Sequence, residues 1–180
     1  DKTGPPPHAA RFVVDDAGLA RAAAWAAAED ARLVALRAAG KADSGGCYLG
    51  SNPLKPGGHG RANDGEVSSV RLLLIDCDPD DSTPAARAAA AALADDVRAL
   101  LLERLGVRPA LIDSGRGRQV WLRHEEGGDL AWRKRLVVAL ARRFDRAVAK
   151  VDKTTHNPSR LMRLPGSANL RTGDVAGDVP

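Results

Sequence analysis

The sequence has few cysteines, the residues that cross-link small domains through disulfides or bind zinc. Its two cysteines, Cys47 and Cys77, lie far apart and show none of the paired spacings of a zinc site. We therefore predict no zinc and no need for disulfides, and interpret both as small buried side chains in a reducing compartment. Aromatic residues make up only 3% of the chain, which argues against a protein that binds single strands by stacking bases on aromatic side chains.

Long apolar runs are also missing. No stretch approaches the roughly 20 apolar residues that a membrane-spanning helix requires, and residues 1–8 have no signal-peptide pattern. These absences predict a soluble, cytoplasmic protein with no membrane partner. Methionine occurs once, at Met162, so we expect the chain to be a piece of a longer protein.

The charge balance is modestly basic. The formal net charge is +4 and the isoelectric point is about 9.4, and most of the positive charge is carried by arginine. This excess favours a partner that bears phosphate groups. The length of 180 residues is sufficient for one domain with its own hydrophobic core.

Hydrophobic spacing predicts an α+β fold. Apolar residues recur at helical spacing from Asp16 to Gly40, from Pro84 to Gly106 and from about Leu130 to Ala149. Strands alternate with these helices in the order β, α, β, β, α, which predicts a sheet with helices packed on one face. The predicted strands are Cys47–Gly50, Val70–Asp76, Ala110–Asp113, Gln119–Arg123 and a short one near Leu161–Leu164.

No linker or internal repeat divides the chain. We predict a single domain over residues 1–180, with an N-terminal lobe at 1–69 and a second lobe at 70–180. A glycine-rich polar loop from Lys55 to Ser69 is a candidate for mobility.

The strongest local signal is an apolar strand that ends in Asp76-Cys77-Asp78-Pro79. Side chains two positions apart on a strand share a face, so both carboxylates can reach one site while Cys77 points into the core. Carboxylate pairs suit Mg²⁺ or Mn²⁺, which take oxygen ligands. Asp-x-Asp is also common in ordinary loops.

The second signal is a tight turn between two predicted strands, with the sequence Ser114-Gly115-Arg116-Gly117-Arg118-Gln119. Glycines let the backbone approach a ligand, and a serine hydroxyl with free N–H groups can hold phosphate oxygens. An ordinary hairpin with solvent-facing arginines would have the same appearance.

The third signal is a solitary aspartate, Asp152, followed by a basic and turn-rich segment. Lys153, Arg160, Arg163 and Arg171 alternate there with turn-forming and hydroxyl-bearing residues. Such a segment can clamp a triphosphate or a template backbone.

Together the three signals resemble the archaeo-eukaryotic primase superfamily, in particular the primase-polymerases of phages and plasmids. The resemblance rests on the order of Asp-x-Asp, then Ser-Gly-x-Gly-x-Gln, then a lone aspartate followed by Asn-Pro-Ser-Arg-Leu-x-Arg-Leu-Pro-Gly-Ser-x-Asn. It extends from Tyr48 to Arg171, since Tyr-x-x-x-Asn-Pro at residues 48–53 is similar to a segment of that group.

The resemblance implies an RRM-like sheet whose cleft carries a two-metal nucleotidyltransferase site. Asp76, Asp78 and Asp152 would bind two Mg²⁺ or Mn²⁺ ions and catalyse the addition of NTP or dNTP on a single-stranded DNA template. A helicase domain or subunit of the same longer replication protein is a candidate partner. The implied nucleotide contacts are Ser114, Gly115, Arg116, Gly117, Arg118, Gln119, Arg160 and Arg163, and further candidate substrate contacts are Tyr48, Asn52, His156, Asn169 and Arg171.

The chain departs from the family pattern at Gln119, where many members carry histidine. A neutral amide donates a hydrogen bond but cannot become a cation. We therefore expect phosphate binding to depend more on Arg116, Arg118 or Arg160.

Other functions are compatible with the same residues. One is an RRM-like nucleic-acid-binding module without catalytic activity, against which the three acids argue because unneutralised carboxylates repel phosphate. Others are a metal-dependent nuclease and a glycosyltransferase that uses Asp-x-Asp to bind a sugar nucleotide.

Overall fold

The computed structural model describes residues 10, 16–40, 46–57, 62–125, 130–169 and 177–178. Its helices are α1 (Asp16–Ala38), α2 (Pro84–Leu105) and α3 (Ala131–Phe144), with a 3₁₀ turn at Asp64–Glu66. Its strands are β1 (Tyr48–Gly50), β2 (Leu72–Pro79), β3 (Ala110–Asp113), β4 (Arg118–Arg123), β5 (Ala149–Val151), β6 (Leu161–Arg163) and β7 (Gly177–Asp178).

The main sheet has five antiparallel strands in the order β5-β2-β4-β3-β7. From β2 to β5 the chain follows the order β-α-β-β-α-β, and its first strand lies between the last strand and the third. This is the arrangement of ferredoxin-like and RRM-like folds. The α+β fold class is therefore confirmed.

One face of this sheet is covered by α2 and α3. Leu73, Ile75 and Cys77 of β2 project toward the helices and are fully buried there. Burial of an aliphatic side chain of this size contributes about 1.5 to 3 kcal/mol. Because side chains alternate along a strand, Asp76 and Asp78 project from the opposite face, which we call the open face.

Helix α2 has the predicted ends. The Thr83 hydroxyl oxygen accepts a hydrogen bond from the Ala86 N–H at 3.2 Å, and Pro84 occupies the first turn. Gly106 ends the helix with φ at +64°, a conformation that glycine adopts without strain. These caps fix the position of the helix behind the acidic strand.

A second sheet pairs β1 with β6, so that Tyr48 lies opposite Arg163. It joins a strand from the predicted N-terminal lobe to a strand near the C-terminus. The division of the chain into two lobes stays a prediction.

The prediction that the third helix continues to Ala149 was wrong. The backbone leaves the helical conformation at Asp145, whose carboxylate accepts a hydrogen bond from the Val151 N–H at 2.9 Å. The chain turns there so that Ala149–Val151 can pair with the end of β2. This short strand was not predicted, because three residues carry too little periodicity to be seen.

The predicted loop from Lys55 to Ser69 is partly structured. Asn63 and Glu66 form a capping box on the 3₁₀ turn, and Leu54 bridges to Val67. Residues 58–61 lie outside the described part. In the residues that the structure covers, we find no helix that is long and apolar enough to cross a membrane.

Candidate active site on the open face of the sheet

The three predicted acids project from the same face of the sheet. Asp76 and Asp78 lie two positions apart on β2, and Asp152 directly follows β5, the neighbouring strand. The Asp152 N–H donates a hydrogen bond to the Asp76 carbonyl oxygen at 2.8 Å. Since Val151 points into the core, the alternation of the strand directs Asp152 to the open face.

Asp76 is half-buried, and its carboxylate is poorly satisfied. Burial, followed by the charge of Asp78, raises its pKa to about 8, although the charge of Arg160 opposes this shift. Its Oδ1 atom is inaccessible to solvent and has no hydrogen-bond partner among the described residues. A bound cation would favour the ionised form and satisfy this oxygen.

Asp152 is held by its own loop. Its Oδ1 atom accepts hydrogen bonds from the N–H and the hydroxyl of Thr154, both at 2.8 Å. Its Oδ2 atom is paired with Arg160 Nη2 at 2.8 Å. The guanidinium of Arg160 therefore neutralises part of the acidic cluster.

The chemistry of these oxygens fits Mg²⁺ or Mn²⁺, but the side chains are not arranged as a finished metal site. Within the described ranges, no group of three acidic, histidine or cysteine side chains is placed to hold a metal ion. Asp76 and Asp78 offer carboxylate oxygens on one face. Asp152 would complete the set after exchanging its contact with Arg160.

The glycine-rich turn packs directly against the acidic strand. A Cβ atom at Gly117 would collide with the Cys77 carbonyl oxygen and lie 3.1 Å from Asp78 Oδ1. The Ser114 hydroxyl donates to the Gly117 carbonyl at 2.9 Å and accepts from the Gly117 N–H at 3.1 Å. Gly115 has φ at +78°, so glycines allow both the tight turn and its close approach to Asp78.

The two arginines of this turn have different partners. Arg116 donates to the Pro79 carbonyl oxygen at 3.2 Å, at the end of the acidic strand. Arg118 lies on the helix side of the sheet and pairs with Asp95 of α2 at 3.2 Å. The structure therefore brings Arg116 close to the end of β2 and does not bring Arg118 to the acids.

Gln119 is buried beside Asp76, its partner across the strand pair. Its Oε1 atom accepts from Trp121 Nε1 at 3.3 Å and from the Arg163 N–H at 3.2 Å. A hydrogen bond from its side chain lowers the pKa of Asp76. The amide is thus fixed in orientation, with its donor end toward the carboxylate.

Arg163 and Asn169 connect the C-terminal segment to the site. The Arg163 guanidinium lies 4.4 Å from the centre of the Tyr48 ring and donates to the Tyr48 hydroxyl at 2.8 Å. Asn169 Nδ2 donates to the Ser114 carbonyl oxygen at 3.0 Å. These contacts support the turn from the side of the second sheet.

The Tyr-x-x-x-Asn-Pro segment contributes an internal contact through Asn52. Its amide accepts from the Arg71 and Leu72 N–H groups and donates to the Leu72 and Pro158 carbonyl oxygens. His156 bonds through Nδ1 to the Lys153 carbonyl oxygen at 3.0 Å. Arg171 lies outside the described residues, and the substrate roles of all these residues stay predictions.

Two supporting residues were not singled out from the sequence. Asp64 Oδ1 accepts from the N–H and hydroxyl of Ser159; burial alone would raise the pKa of Asp64, but these bonds lower it overall. The side chain of Arg133, which is 1% exposed, donates to the carbonyl oxygens of His156 and Leu72. Neither has a local sequence signal, since each acts on a distant segment.

Comparison with known proteins identifies the fold. No protein-family model matches the chain, and no curated protein matches its sequence. The polymerase domain of Mycobacterium tuberculosis ligase D, solved in complex with DNA, aligns with a TM-score of 0.52 and 20% identity over 78% of this chain. The chain shares the fold of that polymerase domain.

The chain spans about half of the ligase D polymerase domain, 53% of which is covered. A second similar structure is the archaeo-eukaryotic primase domain of the cyanophage S-2L primase-polymerase. It aligns with a TM-score of 0.43 and 22% identity over 82% of this chain and 87% of that one.

Proposed function

We propose that this domain is a metal-dependent nucleotidyltransferase that adds NTP or dNTP on a single-stranded DNA template, as a primase, a DNA polymerase or both. One observation carries the proposal. The primase-type fold presents Asp76, Asp78 and Asp152 on one face of the sheet, and a glycine-rich turn packs against the first pair. A longer replication protein with a helicase domain or subunit is the proposed context.

The three aspartates would hold two divalent cations. When bound, these ions would supply activation of a primer 3′-hydroxyl and stabilisation of the pyrophosphate that leaves. The buried and unsatisfied Oδ1 atom of Asp76 supports this role, because a bound cation would offset the cost of burying the ionised carboxylate.

Arg160 would exchange partners when substrate binds. In the structure its guanidinium is paired with Asp152. Once Asp152 is engaged by a cation, Arg160 can pair with phosphate oxygens of the nucleotide, which a guanidinium binds in a bidentate manner. Arg116 would add a second cation near the end of the acidic strand.

The glycine-rich turn would support the nucleotide. Gly117 keeps the turn against Asp78, which would place a bound nucleotide between the turn and the acids. Ser114 holds the turn closed, and Gln119 holds Asp76 in orientation. Direct contacts of Ser114, Gln119 and Arg163 with the nucleotide stay predictions.

A primer-extension assay tests the proposal. The protein is incubated with a labelled primer on a DNA template, with Mg²⁺ or Mn²⁺ and either dNTPs or rNTPs, beside the Asp76→Ala and Asp78→Ala variants. Asp95→Ala is the matched control, since Asp95 is an exposed carboxylate on the helix side. We expect the wild type and the control to lengthen the primer and both site variants to fail.

Other results would identify the competing functions. A shortened primer would indicate a nuclease. Metal-independent binding without chemistry, unchanged by Asp76→Ala, would indicate a nucleic-acid-binding module. Hydrolysis or transfer from a sugar nucleotide in place of primer extension would indicate a glycosyltransferase.

A further inference from the structure

Helix α3 carries a strongly basic exposed surface that the proposed active site does not use. Lys134, Arg135, Arg142 and Arg143 are exposed on it, whereas Val137, Leu140 and Ala141 of the same helix are buried in the core. With Val138 and Ala139 between them, the four cations line one shallow groove of about 720 Å³. We call this surface the α3 basic face.

The charges of the α3 basic face are not balanced within the described structure. None of the four cations forms an ion pair with any residue in the described ranges. Val138 and Ala139 lie four positions after Lys134 and Arg135. A solvated helix often carries acidic residues at this spacing, and they pair with the basic ones. The exposed side of α2, in contrast, mixes Asp95, Asp96 and Glu103 with its arginines.

Helix stability accounts for only two of these four cations. Arg142 and Arg143 lie in the last turn, where positive charge interacts favourably with the helix dipole. Lys134 and Arg135 lie near the first residue of the helix, where the dipole disfavours cations, and the first turn has no acidic residue. Their presence at that end therefore indicates an external anion.

We propose that the α3 basic face binds the sugar–phosphate backbone of DNA. Lys134 and Arg142, like Arg135 and Arg143, are eight positions apart, which places the two pairs about 12 Å from each other along the helix axis at a rise of about 1.5 Å per residue. Phosphates of one duplex strand follow each other at about 3.4 Å of axial rise. The two pairs can thus contact phosphates about three or four nucleotides apart.

This surface is separate from the acidic cluster. The acids project from the open face of the sheet, whereas α3 packs on the opposite face next to β5, the edge strand that precedes Asp152. Nucleic acid bound there would lie behind the active site and close to the sheet edge from which Asp152 extends. It would anchor the template or product at a distance from the reacting nucleotide.

The test is DNA binding by fluorescence anisotropy, without metal or nucleotide, over a range of salt concentrations. The variant replaces Lys134, Arg135, Arg142 and Arg143 with glutamine. The matched control replaces Arg21, Arg37, Arg104 and Arg108, which are exposed elsewhere, and so changes the net charge equally. We expect the slope of log Kobs against log salt concentration to become shallower by about 3 in the test variant, since each lost phosphate contact contributes about 0.7 to 0.9.

The control should keep most of the wild-type slope. Equal slopes for the two variants would overturn the proposal. The proposal would also be overturned if the test variant kept its DNA affinity but lost binding to phosphatidylserine-containing vesicles or to polyglutamate. The surface would then bind a membrane or an acidic protein.

Two half-variants guard against a folding defect. Lys134→Gln with Arg135→Gln, and Arg142→Gln with Arg143→Gln, should each lose about half of the slope change while circular dichroism stays unchanged. Full binding by both folded half-variants would contradict the proposal. Because the assay contains no nucleotide, its outcome is independent of primer extension.

Discussion

The half-buried carboxylate of Asp76 should destabilise the metal-free fold at neutral pH. Burial, followed by the charge of Asp78, raises its pKa from 3.8 to about 8. Between these values the folded protein retains a proton that the unfolded chain has released, so this group makes the free energy of unfolding fall as pH rises from about 4 to about 8. At pH 7 the pH is about 3 units above the ordinary pKa of 3.8. This interval corresponds to a loss of at most about 4 kcal/mol in the free energy of unfolding.

Asp76→Asn removes the ionisable group and nearly preserves its shape. Without metal, we expect the variant to be more stable than the wild type by up to about 4 kcal/mol at pH 7, with the difference vanishing near pH 4. Urea unfolding in EDTA across this pH range measures both quantities. Asp95→Asn, which alters an exposed carboxylate, should change stability by less than about 1 kcal/mol.

Equal stability of wild type and Asp76→Asn at pH 7 would refute this reasoning. The reasoning would also be refuted if the stability difference between the variant and the wild type grew as the pH was lowered. A raised pKa of Asp76 requires this difference to shrink toward low pH.

Three further predictions concern the neighbouring residues. Gly117→Ala should leave the fold intact but reduce primer extension by about 10-fold to 100-fold, because the new methyl group displaces the turn from Asp78; full activity would contradict this packing role. Arg160→Gln should raise the KM for dNTP and leave the Mn²⁺-induced increase in Tm largely intact, and an unchanged KM would disprove the partner exchange. Arg133→Met should lower the free energy of unfolding by about 1 to 3 kcal/mol, since the carbonyl oxygen of His156 loses its donor while that of Leu72 keeps Asn52; unchanged stability in urea unfolding would contradict this.

Much of the fold could be predicted from local patterns. The apolar run of β2, the capped helix α2 and the hairpin of β3 and β4 each carry a signal within their own residues. Strand β5 does not, because only its pairing with the end of β2 makes three residues extended. The end of α3 was missed for the same reason.

The candidate site divides in a similar way. Strand alternation predicted that Asp76 and Asp78 share a face, and in the structure both lie on the same face of β2. The ion pair of Asp152 with Arg160 and the bonds of Asp64 with Ser159 depend on how loops fold back. The direction of Arg118 follows from the register of β4, which places it opposite Cys77 on the helix side; the sequence of the turn alone does not determine it.

The most direct test of the central claim compares the wild type with Asp76→Asn in metal-dependent incorporation of labelled nucleotides into a primed DNA template. The claim is that Asp76 is a metal ligand of a nucleotidyltransferase. It predicts that the wild type lengthens the primer in Mg²⁺ or Mn²⁺, and that the variant has no detectable activity although it is folded and, without metal, at least as stable. Primer extension by Asp76→Asn at the wild-type rate would contradict the claim.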